Sequence, residues 1–116
     1  MRNRILFALF ACLVFAVGSK AQAVSASSLV GSTWELSFSE CEGNNYRHPE
    51  LLAIDGEDTA QFRDTELTWS LKGYAIRAEN NAFLIRLDMR SKTKVTGSLY
   101  VKKGGNEKCV YGTRIR

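Results

Sequence analysis

From residue 33 towards the C-terminal end, apolar side chains recur with a period of two almost everywhere, and no stretch holds a helical period for three turns. Trp34, Leu36 and Phe38 alternate with Thr33, Glu35, Ser37 and Ser39. Leu67, Trp69 and Leu71 alternate with Glu66, Thr68, Ser70 and Lys72. Two further runs, Phe83-Ile85-Leu87-Met89 and Val95-Gly97-Leu99-Val101, keep the same spacing. Successive strand side chains point to opposite faces, so the pattern predicts strands with one face buried and one wet.

Turn chemistry separates these runs at short intervals: Asp55-Gly56, Asp64-Thr65, Gly73, Asn80-Asn81, Ser91-Lys92 and Gly104-Gly105-Asn106. Asn80 and Asn81 offer the tolerance of positive φ that a tight hairpin needs. The spacing predicts eight strands near 33–39, 51–55, 58–63, 66–72, 74–79, 82–90, 93–103 and 107–115. Connections this short force neighbours to run antiparallel. An open meander leaves two unpaired edges and closure removes them. The expected fold class is all-β, a small eight-stranded antiparallel up-and-down barrel.

Ahead of that domain, Arg2 and Arg4 precede thirteen uncharged residues from Ile5 to Val17. Gly18 and Ser19 follow, then Ala21-Gln22-Ala23, a small-x-small site for a signal peptidase. The apolar run is shorter than the roughly 20 residues needed to span a bilayer. Residues 1–23 are expected to be a signal peptide, 24–31 a flexible leader and 32–116 a single barrel domain. The expected location is periplasmic or secreted, with no transmembrane segment in the mature form.

Export makes the cysteines informative. Cys12 leaves with the signal, and Cys41 and Cys109 remain as a pair in an oxidising compartment. A metal or redox site would call for closer spacing or histidine neighbours. A Cys41–Cys109 disulfide would join the end of the first strand to the start of the last, which lie side by side in a closed meander. One conflict attends it. Strict alternation puts Cys41 outside, while Cys109 shares a face with Tyr111 and Ile115; either a bulge or departure from the strand around Glu40 reconciles them, or one of the face assignments is wrong.

Charge is unevenly placed. Without Arg2, Arg4 and Lys20 the chain keeps 13 basic and 12 acidic groups, a net charge of +1 that offers nothing to nucleic acid. Residues 24–85 carry four basic and ten acidic groups, and residues 86–116 nine basic and two acidic. Arg86, Arg90, Lys94, Lys102, Lys108 and Arg114 are expected to project outward from three adjacent strands. They either pair across strands, as Glu35 would with Arg114, or form a basic face for an anionic partner.

Enzymatic chemistry finds little support. His48, the sole imidazole, sits in a loop beside the sole proline, so a Ser-His-Asp relay has one place to stand. Bridged cysteines leave no ligand set for catalytic zinc, and no metal or other cofactor is expected. The acidic groups Glu40/Glu42 and Asp55/Glu57/Asp58 fall on strand ends and turns, where carboxylates are ordinarily solvated. The aromatic residues Trp34, Phe38, Phe62, Trp69, Tyr74, Phe83 and Tyr111 either line a ligand cavity or fill the barrel, and strands this short with so many large inward residues favour filling.

The opening Gly31-Ser32-Thr33-Trp34-Glu35-Leu36, the Trp69-Ser70-Leu71-x-Gly73 run, Val95-Thr96-Gly97-Ser98-Leu99 and Cys109-Val110-Tyr111-Gly112 together resemble small secreted lipocalin-like (calycin-type) β-barrels. The resemblance implies a barrel with a binding role. Ser25-Ala26-Ser27-Ser28-Leu29, followed by Gly31, Trp34 and Cys41, is also similar in order to periplasmic inhibitors of bacterial metalloproteases. Those are disulfide-linked barrels that insert an N-terminal tail into the protease cleft. The expected function is a non-enzymatic exported binding protein for an anionic envelope component, a protein or a small ligand. The alternative is an inhibitor of a protease or other hydrolase, acting through the leader or loops. The candidate binding residues are Tyr46, Arg47 and His48 in the long connection 40–50, and Arg86, Arg90, Lys94 and Lys102 on the outer wall.

Overall fold

The structure is a computed structural model that describes residues 24–42 and 49–116. Residues 1–23, expected to be a signal peptide, and the loop residues Tyr46, Arg47 and His48 lie outside the described residues. One turn of helix, α1 (Ala26–Leu29), precedes β1 (Thr33–Ser39), β2 (Glu50–Ile54), β3 (Thr59–Phe62) and β4 (Thr65–Lys72). Then follow β5 (Ala75–Glu79), β6 (Phe83–Met89), β7 (Lys94–Val101) and β8 (Asn106–Arg114). Each strand pairs antiparallel with the next, and β8 returns to β1, closing an eight-stranded barrel.

The seam runs from Trp34 opposite Arg114 to Ser39 opposite Cys109. Its register resolves the conflict over the cysteines. Facing residues of an antiparallel pair share a face, and Cys109 and Tyr111 face Ser39 and Ser37, the residues alternate to inward Leu36 and Phe38. Both cysteines are therefore on the outer side, and no bulge is needed. The Cys41–Cys109 bridge forms, with Cα atoms 4.9 Å apart and a sequence separation of 68. In the loop-entropy account a bridge of this span contributes about 4 kcal/mol.

The same register corrects three other expectations. Tyr111 is outside and 42% exposed, and Val110 holds the inward place. Lys108 faces Leu99 and Arg114 faces Trp34, so both lie on the inner face, one near each end of the barrel, instead of outward. Glu35 faces Thr113, not Arg114. Tyr74 is likewise outside.

Inside, Trp34, Leu36, Phe38, Leu52, Ile54, Phe62, Leu67, Trp69, Ile76, Ile85, Leu87, Val95, Leu99 and Val110 form one buried cluster that fills the lumen. Two positions need glycine to let it close. A Cβ on Gly97 would sit 1.8 Å from the Arg86 carbonyl oxygen, and one on Gly112 would meet Leu36 and Val95 at 2.6 and 2.7 Å. Positive φ occurs at Arg63 (52°) and Asp64 (60°) in the β3–β4 hairpin, and not at Asn80 or Asn81. Asn80 instead accepts hydrogen bonds at Oδ1 from the backbone N–H groups of Ala82 (2.7 Å) and Phe83 (2.8 Å). That Asx-type closure makes the turn without left-handed backbone.

Candidate functional site

The two ends of the barrel are finished differently. At one end, where β1 begins, α1 delivers Leu29 into the core with no exposed surface. The segment expected to be a loose leader is tied down there. Gly31, at φ 90°, donates its N–H to the Ile54 carbonyl (2.6 Å), and Ile54 returns a bond to Ser32 (2.9 Å). The Ser32 hydroxyl donates to the Leu29 carbonyl (2.5 Å) and accepts from the buried Trp34 indole (3.0 Å). Arg114 Nη2 adds a bond to the Ser28 carbonyl (3.2 Å). An indole N–H buried without a partner would be costly, and the serine both satisfies it and fixes the plug.

At the opposite end the φ-positive turn aims Arg63 back over three phenylalanines. Its guanidinium carbon lies 5.9, 5.1 and 5.4 Å from the ring centroids of Phe38, Phe62 and Phe83. The rings themselves meet edge-on, Phe62 at 6.0 Å from Phe38 and 5.4 Å from Phe83. Glu50 holds the fork from β2, accepting from Nε at 2.6 Å and from Nη2 at 2.7 Å. Those bonds raise the affinity of the guanidinium for its proton, against a smaller opposing effect of partial burial. Lys108 is paired with Glu40 close by. A cavity of about 240 Å³ lies between these groups and Phe38, Leu99 and Val101. Arg63 and Lys108 thus both have carboxylate partners.

The outer wall distributes the remaining candidates along its length. Arg90, near the Leu29 end, is exposed and donates through Nε to the Thr96 hydroxyl at 2.8 Å. Lys94 donates to the Thr113 hydroxyl (3.2 Å), with its ammonium 5.7 Å from the Tyr111 ring centroid. Arg86 stands midway along the wall. Lys102, near the Arg63 end, is bound to Glu79 at 2.6 Å. The carboxyl of Glu79 also accepts from Arg77 (3.0 Å), and Lys102 first, then Arg77, hold it below its ordinary pKa. The structure therefore brings Arg90 and Lys94 together and sets Lys102 apart.

Sequence reasoning missed Arg77. It sits on β5 directly opposite Arg86 on β6, and both line a groove of about 450 Å³ on the outer wall with Ser70, Lys72, Asp88 and Ser98. Arg77 belongs to the acidic part of the chain, so counting charge by segment hid it. The Asn80-Asn81 turn is the signal that could have found it, since that hairpin pairs residue 79 with 84 and hence 77 with 86. No known protein family matches the chain, and no curated protein sequence matches it. What the fold defines is a closed, filled, disulfide-bridged antiparallel barrel whose distinguishing surface is this wall.

Proposed function

We propose that the protein is an exported, non-enzymatic binding barrel of lipocalin-like type that recognises an anionic partner across the outer wall of β5–β7. The observation that carries this reading is a set of cations without counter-charge. Among the described residues Lys72, Arg86, Arg90 and Lys94 make no ion pair, whereas Arg63, Arg77, Lys102 and Lys108 do. Cross-strand neutralisation, the ordinary use of such charges, is thus missing where the basic residues are densest. A filled lumen leaves the surface as the place for recognition, and a basic wall steers anions towards it. Leu29, buried as a plug, ties the leader to the barrel and favours this reading over an inhibitor that extends the leader into a protease cleft.

The test uses vesicles with and without anionic phospholipid as the probe. The mature protein should co-sediment with the anionic vesicles, less so as salt shortens the screening length from about 10 Å at 0.1 M to about 3 Å at 1 M. An Arg86→Glu/Arg90→Glu/Lys94→Glu protein should lose that binding while keeping its β-rich circular dichroism. Equal binding by both proteins, indifferent to salt, would overturn the reading.

A further inference from the structure

We infer that Arg77 and Arg86 form a defined site for a tetrahedral oxyanion carried as a monoester, a phosphate or sulfate group, on the outer wall of β4–β7. The inference rests on the reading of the wall as an anion-binding surface and narrows it to one place and one chemistry.

Four residues make up the site, each the direct cross-strand partner of the next: Ser70 on β4, Arg77 on β5, Arg86 on β6 and Ser98 on β7. Facing side chains of an antiparallel pair have Cβ atoms about 5 Å apart, and like charges placed so are destabilising. The two guanidinium groups could relieve that repulsion by each binding an acid. Arg77 does so in part, sharing Glu79 with Lys102. Arg86 has neither an ion pair nor a hydrogen bond among the described residues, and neither do the hydroxyls of Ser70 and Ser98. The row therefore presents two planar forks flanked by two free hydroxyl donors and no acceptor of equal charge between them. An oxyanion with several oxygens satisfies such a donor set, because guanidinium forks bind phosphate-like groups through paired, charge-assisted hydrogen bonds.

The rim decides the size of the ligand. Asp88 lies one row towards the Leu29 end, opposite Ala75 and Thr96, and Glu107 one row towards the Arg63 end, opposite Tyr100. Both line the groove with the arginines. A long polyanion lying along the barrel axis would run over these carboxylates. A compact terminal group carrying one or two charges reaches the arginines and avoids them. Lys72, in the same groove, adds positive charge beyond Asp88.

The experiment measures binding of inorganic phosphate and of sulfate to the mature protein by amide chemical-shift titration. Arg86→Gln and Arg77→Gln should each weaken phosphate at least about tenfold, as expected for losing hydrogen bonds to a charged group. Lys103→Gln, an exposed turn residue outside the wall, should change it less than about twofold. Arg86→Gln also removes a like-charge contact, so its unfolding midpoint should equal or exceed that of the unaltered protein, which shows that any loss of binding is not a loss of fold. Equal weakening by Arg86→Gln and Lys103→Gln would overturn the site and leave only a diffuse effect of net charge. Saturable binding of neither ion, with anionic vesicles still bound, would also overturn the site alone; no binding of any of them would remove the reading beneath it as well. The source of the monoester is separated by vesicles carrying phosphatidic acid, with glycerol phosphate as competitor. Displacement by the soluble ester assigns a soluble ligand, and retention on the vesicle assigns a headgroup.

Discussion

Closing the ends of a filled barrel is one physical problem, and this protein meets it in two ways. At the Leu29 end a short leader returns an apolar side chain to the core, fixed by backbone bonds through Gly31 and by the Ser32 hydroxyl. At the Arg63 end a charged side chain lies across a phenylalanine cluster and is tethered by Glu50. The first closure depends on buried area, which neither salt nor pH weakens greatly. The second depends on charges that are 41% and 34% exposed, and solvent screens them. The ends should accordingly respond to different perturbations, and the loop that begins at Glu40 leaves from the electrostatic end.

The largest effect is expected from Leu29→Ala. Removing a fully buried leucine costs about 3 kcal/mol, the transfer of the lost methyl groups plus the cavity they leave. Urea unfolding should show this loss unchanged between low and high salt. A loss below about 1 kcal/mol would mean that the leader merely rests on the barrel, and the contrast between the ends would fail.

Arg63→Ala should cost less, about 1 kcal/mol at low ionic strength, since partly exposed ion pairs and cation–π contacts are each worth little. Alanine also inherits the positive φ of that turn, so backbone strain stays the same and the difference reports the side chain alone. The cost should shrink at 1 M NaCl, where screening acts within about 3 Å. A loss as large as that of Leu29→Ala, and indifferent to salt, would show that Arg63 acts mainly as a hydrophobic cover.

The contrast between the ends also explains which parts of the structure could be read from the sequence. Strands β1, β4, β6 and β7 carry clear period-two patterns because their inward positions are almost all apolar. On β8 the inward positions are Asn106, Lys108, Val110, Gly112 and Arg114, while Tyr111 is outside. Hydrophobicity on that strand therefore points the wrong way, and only the seam register with β1 corrects it. Leu29 was hidden by its setting among serines, where a single apolar residue carries no periodicity. The wall arginines depend on register too. Arg86 stood out by segment charge, but Arg77 becomes visible only when the strands on either side of Asn80 are laid against each other. Nothing in local composition marks Arg63 as the residue that would take the left-handed backbone of its turn, because the neighbouring Asp64-Thr65 looked like the turn itself.

The smallest expected effect belongs to Glu79, which joins Lys102 and Arg77 near the Arg63 end. Hydrogen bonds from Lys102 and then Arg77 lower its pKa from the ordinary value of 4.5. A carboxyl whose folded pKa lies below its unfolded one adds stability that is fully present above the unfolded pKa. That contribution fades as the pH falls through the folded value, because both states are then protonated. Glu79→Gln removes the charge, so the gap in stability between the two proteins should be steady from neutral pH down to about 5 and close in stronger acid. The side chain is 36% exposed, so solvent screens the charge, and the gap should be small and should narrow in high salt. Leu29→Ala supplies the comparison: its deficit should stay the same across the same pH range, since what it loses is buried apolar area. Urea midpoints for the three proteins, taken at neutral pH and in strong acid, decide the matter. A Glu79→Gln gap that persists in acid would show that the side chain acts by packing and not by charge, and the two ends would then differ only in degree.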